Sequence, residues 1–272
     1  MTRTIVVTGG SSGIGLAAAE QLAARGDQIV LVGRDPGRLQ AAADRVRAAG
    51  QGREPGRFRA DFDRLSDVRD LADHLLTTYP AIDVLANNAG GIVMDYRRTP
   101  DGLESTIQSN HLAPFLLTSL LRERLRGGRV VNTSSDAHRR SVPDPYDFTG
   151  DPRSYRGWPA YGAAKSANIL FTAEAARRWP DILSVSFHPG VVRTNFGDRG
   201  MLRLFYRYAP FLVTPEKAGA LLAWLVTAPA GDLVNGAYYE GHQTVVPRAR
   251  TGDADLAAEL WKSSEAAVGI VE

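Results

Sequence analysis

The chain contains no cysteine in 272 residues, which removes disulfides, thiolate nucleophiles and cysteine-ligated zinc or iron–sulfur sites together. A reducing compartment is compatible with that absence. No apolar run reaches the roughly 18–20 residues that a membrane helix needs. The start of the chain, where Arg3 leads into the short apolar run 5–7 and then into glycines, lacks the layout of a signal peptide. The expected location is therefore the cytoplasm, with no membrane partner. An excess of one charge is also missing: 32 basic and 30 acidic side chains leave +2. The arginines are dispersed among acids, so a pI of about 9.0 gives no footprint for nucleic acid. His111 and His138 lack partners at metal-ligand spacing, and Gly-x-Ser-x-Gly does not occur, so neither a metal site nor an α/β-hydrolase is expected.

What is present is a rhythm. Short β-rich runs at 4–8, 28–33, 57–61, 82–87, 129–134 and 182–187 alternate with helical stretches at 16–26, 38–50, 66–78, 103–126, 160–178 and 215–227, and a last short strand is placed at 236–241. With no linker or composition break, this predicts an α/β fold: a single doubly wound Rossmann-type domain over 1–272, with a mostly parallel sheet of six to seven strands. Two stretches escape the rhythm, 136–159 and 195–214. Long irregular segments inside a compact domain are usually functional loops.

The first strand runs into TGGSSGIG, with Gly9, Gly13 and Gly15 opening a helix near Ile14. Glycine permits a tight turn and lets the backbone approach a pyrophosphate, while the helix N-terminus offers unpaired N–H groups and a positive dipole end. The strand–turn–helix context makes this a dinucleotide site by position as well as by pattern.

The spacing TGxxxGxG resembles the short-chain dehydrogenase/reductase family, and the remaining landmarks follow in order: Asp61, the run Asn87-Asn88-Ala89-Gly90, Asn110, Ser135, Tyr161 with Lys165, and Pro189-Gly190 followed by Thr194. The resemblance covers nearly the whole chain. It implies catalytic roles for Asn110, Ser135, Tyr161 and Lys165. It implies a cofactor held by Gly9, Ser11, Ser12, Gly13, Ile14, Gly15, Arg34, Asp61, Phe62, Asn88, Ala89, Gly90, Tyr161, Lys165, Pro189, Gly190, Val192 and Thr194. A homodimer or homotetramer is implied as well.

Tyr161 and Lys165 lie four apart in a helical stretch and so share a face. A neighbouring ammonium favours phenolate over phenol, which suits a tyrosine acting as general acid in reduction and general base in oxidation. Taken alone, such a pair is common on helix surfaces; the surrounding motifs give it meaning. By family alignment the second serine of the Ser134-Ser135 pair bonds the substrate oxygen, Ser134 serves structure, and Lys165 also grips the nicotinamide ribose. Asn110 resembles the residue that holds a water behind the lysine, with a helix-interior Asn bonding a carbonyl as the plain alternative. His188 is read as structural, preceding the Pro-Gly turn.

The end of the second strand separates NAD from NADP, because an acid there binds the ribose 2′-OH and an arginine accommodates a 2′-phosphate. Gly33 stands at the acid's position and Arg34 follows it, so NADP(H) is expected over NAD(H). Asp35 is read as the N-cap of the next helix, before Pro36. Within the family, SSDAH at 134–138 and HPGVVRTNF at 188–196 resemble the retinol-dehydrogenase and protochlorophyllide-reductase branch. The implied activity is reversible hydride transfer between the nicotinamide and a small-molecule alcohol or carbonyl substrate. The alternative is an NADP(H)-binding redox sensor or scaffold without turnover; a sugar-nucleotide epimerase fits the glycine spacing poorly. The segment 195–214, with Phe205 and Phe211 among many apolar residues, is read either as an amphipathic helix packed on the core or on a partner subunit or as a cover for a bulky apolar substrate, with the insertion at 142–159, carrying Tyr146, Phe148, Tyr155 and Trp158, as the facing wall.

Overall fold

The computed structural model describes residues 2–192 and 212–270. Strand β1 (Thr4–Thr8) shows why the run is apolar throughout: Ile5 and Val7 face one side of the sheet, Val6 the other, and all three are fully buried. The same two-sided burial shapes β2 (Gln28–Gly33), β4 (Val84–Asn87), β5 (Arg129–Thr133) and β6 (Leu183–His188). With β3 (Gly56–Arg59), β7 (Tyr238–Glu240) and β8 (Gln243–Thr244) they form one sheet of order β3-β2-β1-β4-β5-β6-β7-β8. Every pairing is parallel except β7 with β8. The sheet thus has eight strands rather than six to seven; the extra one is a two-residue antiparallel return whose exposed Gln-Thr carries no apolar signal.

Helices cover both faces. On one side lie α1 (Gly13–Ala24), α2 (Pro36–Ala49) and α7 (Pro215–Thr227), burying Leu22, Leu39, Val46 and Leu222 against Ile5, Leu31 and Val185. On the other lie α3 (Leu65–Thr78), α5 (Ala113–Leu120), α6 (Gly157–Arg178) and α8 (Ala254–Val268). The last of these is absent from the sequence reading. It starts where the Asp253 carboxylate accepts from the Asp255 and Leu256 N–H groups, and it inserts Trp261 edge-on against Phe115 (5.0 Å between ring centres) and Trp179 (4.8 Å). Asp35 caps α2 as expected, accepting from Arg38 N at 2.8 Å with Pro36 in the first turn.

The long helix expected within 103–126 is broken. A short turn α4 (Ser105–Ile107) passes into a π-turn (Gln108–Leu112), then α5, then a 3₁₀ turn (Arg122–Leu125). The π-turn is a local widening of the kind that often marks functional sites, and it carries Asn110. Among the described residues no helix is long and apolar enough to cross a membrane.

Candidate active site

Parallel pairing brings the C-terminal ends of β1, β2, β4, β5 and β6 to one edge, and the glycine loop, Arg34, the Asn88-Ala89-Gly90 turn, Ser135 and Pro189-Gly190 follow those ends. After β1 the chain turns at Gly9 (φ +65°) and Gly13 (φ +56°) into α1, whose N-cap Ser12 makes no side-chain cap bond, leaving the first N–H groups of the helix for an anion. The glycines also serve packing. A Cβ on Gly15 would lie 2.5 Å from Gly9 O and 2.6 Å from Asn88 Nδ2, and one on Gly9 would lie 2.9 Å from Ala89 Cα. The glycine loop and the Asn-Asn-Ala-Gly turn after β4 are therefore in direct backbone contact.

Thr8, not singled out from the sequence, welds these two loops together. Its buried hydroxyl donates to Ala86 O (3.2 Å) and accepts from Asn88 N (2.9 Å) and Ala89 N (3.0 Å), and Asn88 Nδ2 donates to Thr8 O (3.1 Å). Its signal was its place as the last strand residue before the glycines, where a hydroxyl can both donate and accept. The turn's first residue, Asn87, is buried and bonds Asn132 of β5 and Thr118 of α5. It is structural.

On α6, Tyr161 and Lys165 face the same way, both buried, with Lys165 Nζ 5.3 Å from the centre of the tyrosine ring. Lys165 Nζ donates to Thr133 O at 3.2 Å, and its burial pushes the ammonium down to about 7. Asn110 reaches the Gly90-Gly91 turn: Nδ2 donates to Gly91 O (2.9 Å) and Oδ1 accepts from Gly91 N (3.1 Å). It also bonds Thr106 O at 2.9 Å, so the plain helical contact exists beside the long-range one. Any Cβ on Gly90 would collide with Asn110 Oδ1 and lie 3.2 Å from Lys165 Nζ, which places the glycine backbone between the two side chains. Asn110, Lys165 and the Gly90 turn thus converge on one point.

The two serines after β5 separate cleanly. Ser134 is buried and its hydroxyl donates to Lys165 O (2.8 Å), tying β5 to α6, whereas Ser135 is half-buried and its Oγ accepts from Ala137 N (3.2 Å) as the cap of a 3₁₀ turn (Asp136–Arg140). After β6, Gly190 (φ +87°) lies so close to Val213 that a Cβ there would be 2.7 Å from its Cγ2. Val192 bridges Val213, so the two ends flanking 193–211 are joined. Thr194, Phe205, Phe211 and all of 195–214 except its last three residues lie outside the described residues.

Where the sequence reading expects the adenosine end of a dinucleotide, Arg34 is exposed beyond β2, and a side chain on Gly33 would press on Ser11, its Cβ 2.9 Å from Ser11 Oγ. Arg59, also missed from the sequence, pairs in register with Gly33 and is exposed. Register partners project from the same face of a sheet, so Arg59 brings a second cation beside the Gly33 position. Asp61 Oδ1 accepts from Asp63 N, and Phe62 is buried with its carbonyl bonded by Gln108.

The insertion departs from the expected wall. Phe148 is buried in the core, Tyr146 is exposed, and Tyr155 anchors the loop through Val93 O (2.7 Å) and Thr106 (2.9 Å), with burial raising its phenol to about 12. Only Trp158 reaches the site, edge-on to Tyr161 at 6.3 Å between ring centres.

A family model described as short chain dehydrogenase matches residues 3–200, and the chain belongs to that family of oxidoreductases. It is 49% identical over 268 residues to a protein of Streptomyces sp. (strain C5), DnrU, whose name proposes it as a daunorubicin C-13 ketoreductase, covering 98% of this chain and 93% of that one. It is 32% identical to human retinol dehydrogenase 13, covering 98% and 85%, which supports the retinol-dehydrogenase-like branch. Among solved structures, a short chain dehydrogenase of Burkholderia cenocepacia in complex with NADP superposes with a TM-score of 0.70 at 30% identity, over 87% of this chain and 94% of that one.

Proposed function

We propose that this protein catalyses reversible hydride transfer between NADP(H) and the alcohol or carbonyl group of a bulky, mostly apolar substrate, with Tyr161 as general acid and base. The observation that carries the reading is the convergence of buried Tyr161 and Lys165 with Asn110 at the Gly90 turn, beside the glycine loop. The loop glycines, the uncapped start of α1 and Arg34 fit a phosphorylated dinucleotide. When bound, the nicotinamide supplies the hydride in reduction and accepts it in oxidation. In reduction, Tyr161 and Ser135 hydroxyls bond the substrate oxygen and Tyr161 passes its proton to that oxygen. Lys165, as the ammonium, stabilises the phenolate left behind, and Asn110 holds the turn that packs against the lysine. Consumption of NADPH with an aromatic ketone, followed by absorbance, tests the reading; tight NADPH binding without turnover of any carbonyl or alcohol would favour the sensor alternative.

Arg34 and Arg59, with no acid at position 33, support NADP(H) over NAD(H). One charge-assisted phosphate contact is worth about 1.5–3 kcal/mol, so kcat/KM should favour NADPH by about 10- to 150-fold. Arg34→Leu should narrow that gap, and Arg34→Leu with Arg59→Leu should narrow it further. Equal efficiency with both cofactors in the parent would remove the assignment.

The apolar character of the substrate is supported by Trp158 against Tyr161 and by Met94 and Val191 near the same edge, 49% and 43% exposed. The compounds in the relatives' names, daunorubicin and retinol, are themselves large and mostly carbon. In a size series of ketones, kcat/KM should rise with apolar area, and Trp158→Ala should flatten that slope. A preference for short polar carbonyls would refute it.

A further inference from the structure

The segment Ser134-Ser135-Asp136 lies just beyond the last residue of β5, so the peptide group joining Ser135 to Asp136 has no place in the strand ladder. Two histidines take its bonds instead. His138 Nδ1 lies 2.8 Å from Ser135 O, which also accepts from His138 N at 3.1 Å. At the other end of the same peptide, Asp136 N donates to His188 Nδ1 at 3.3 Å. Chemistry fixes both tautomers: a carbonyl oxygen can only accept, so His138 carries its hydrogen on Nδ1, and an amide N–H can only donate, so His188 Nδ1 is bare. One step earlier, Ser134 N donates to Phe187 O (2.8 Å), so the whole turn is laced to the end of β6.

This clamp sets the rotation of the peptide after Ser135. Ser135 is extended (φ −162°, ψ 155°), and in that setting its Oγ caps the following turn at Ala137 N. We propose that His188 is a positioning residue: as a neutral acceptor for Asp136 N–H it holds the Ser135 backbone, and through it the Ser135 hydroxyl, in the orientation the substrate oxygen meets. The proposal rests on the reading that Ser135 touches substrate.

The clamp is sensitive to acid in a definite direction. A proton on His188 Nδ1 removes the acceptor and sets N–H against N–H. The groups facing the imidazole are Asp136, His138 and Arg139 from the 3₁₀ turn and Glu240 of β7, its register partner. Both carboxylates are engaged by Arg139, with Nη2 2.8 Å from Glu240 Oε1 and Nε paired with Asp136. Burial holds His188 below its ordinary value of 6.5. The clamp is therefore closed at neutral pH and opens as pH falls below that value. Protonation of His138 leaves its Nδ1–H in place, so it does not open its end.

The test is kcat and KM for ketone reduction from about pH 5 to 8 in the parent, His188→Asn, His188→Leu, Ser135→Ala and the double variant Ser135→Ala with His188→Leu. Asn offers Oδ1 where His offers Nδ1 and does not titrate. His188→Leu should lower kcat about 10- to 100-fold with little change in the Kd for NADPH. It should add nothing further once Ser135 is Ala. His188→Asn should recover most of kcat at neutral pH and lose the acid limb below about 6.5. An unchanged acid limb in His188→Asn, parental kcat in His188→Leu, or full additivity with Ser135→Ala overturns the proposal. Should His188→Leu not fold, the pH profile of His188→Asn decides alone. Parental kcat in Ser135→Ala would instead strike the assignment of Ser135 itself, whatever the histidine variants do.

Discussion

Tyr161→Phe is expected to bind NADPH with near-parental affinity and to reduce ketones about 10²- to 10⁴-fold more slowly, the usual worth of a positioned general acid. The ring is buried against Trp158 and beside Lys165, and phenylalanine fills the same space. What disappears is the hydroxyl proton that the proposed mechanism passes to the substrate oxygen. KM should change far less than kcat, because the hydroxyl matters most as charge develops. Isothermal titration with NADPH and steady-state kinetics on the same preparation separate the two quantities. Retention of more than about a tenth of parental kcat would mean that the proton comes from another group.

Gly15→Ala is expected to lower activity at limiting NADPH, through the cofactor rather than the chemistry. The added methyl would stand 2.5 Å from Gly9 O and 2.6 Å from Asn88 Nδ2, and neither can withdraw. Gly9 O belongs to a turn at positive φ, and Asn88 Nδ2 is bonded to Thr8 O. Overpacking at such a contact costs about 1–3 kcal/mol, which should appear as a weakening of NADPH binding by about 5- to 150-fold and a fall in Tm. Gly231→Ala is the control: nothing lies within 4 Å of a Cβ there, and the variant should match the parent. Parental NADPH affinity in Gly15→Ala would mean that the loop is not the phosphate cradle.

Much of this was legible from the chain because it is written in local patterns. Two-sided burial makes β2 a continuous apolar run, QIVLVG, and Asp35 before Pro36 is a helix start that needs no tertiary information. The order of Asn110, Ser135, Tyr161 and Lys165 pointed to a candidate site, and the structure brings Asn110 and Lys165 to the Gly90 turn, with Tyr161 beside Lys165. What escaped depends on partners far away in sequence. The π-turn at Gln108–Leu112 sits in a stretch that reads as plain helix, and its Asn110 is bonded to Gly91. Thr8 gains its role from residues about 80 positions later, and the histidines from a peptide bond they face only after β5 and β6 pair. Phe148 looked like a substrate wall because an aromatic in a loop has two possible burials, and here the core took it.

The most direct measurement of the central claim is isotope transfer. NADPH deuterated at the transferable position of the nicotinamide is incubated with the parent protein and a bulky aromatic ketone, and the products are read by mass spectrometry and NMR. Direct hydride transfer assisted by Tyr161 should give the alcohol with one deuterium on the new carbinol carbon and none from solvent, and the Tyr161→Phe protein should give little alcohol of any kind. Tight binding of NADPH with no labelled alcohol from any ketone or aldehyde in a broad series would contradict it and leave the chain an NADP(H)-binding protein without turnover.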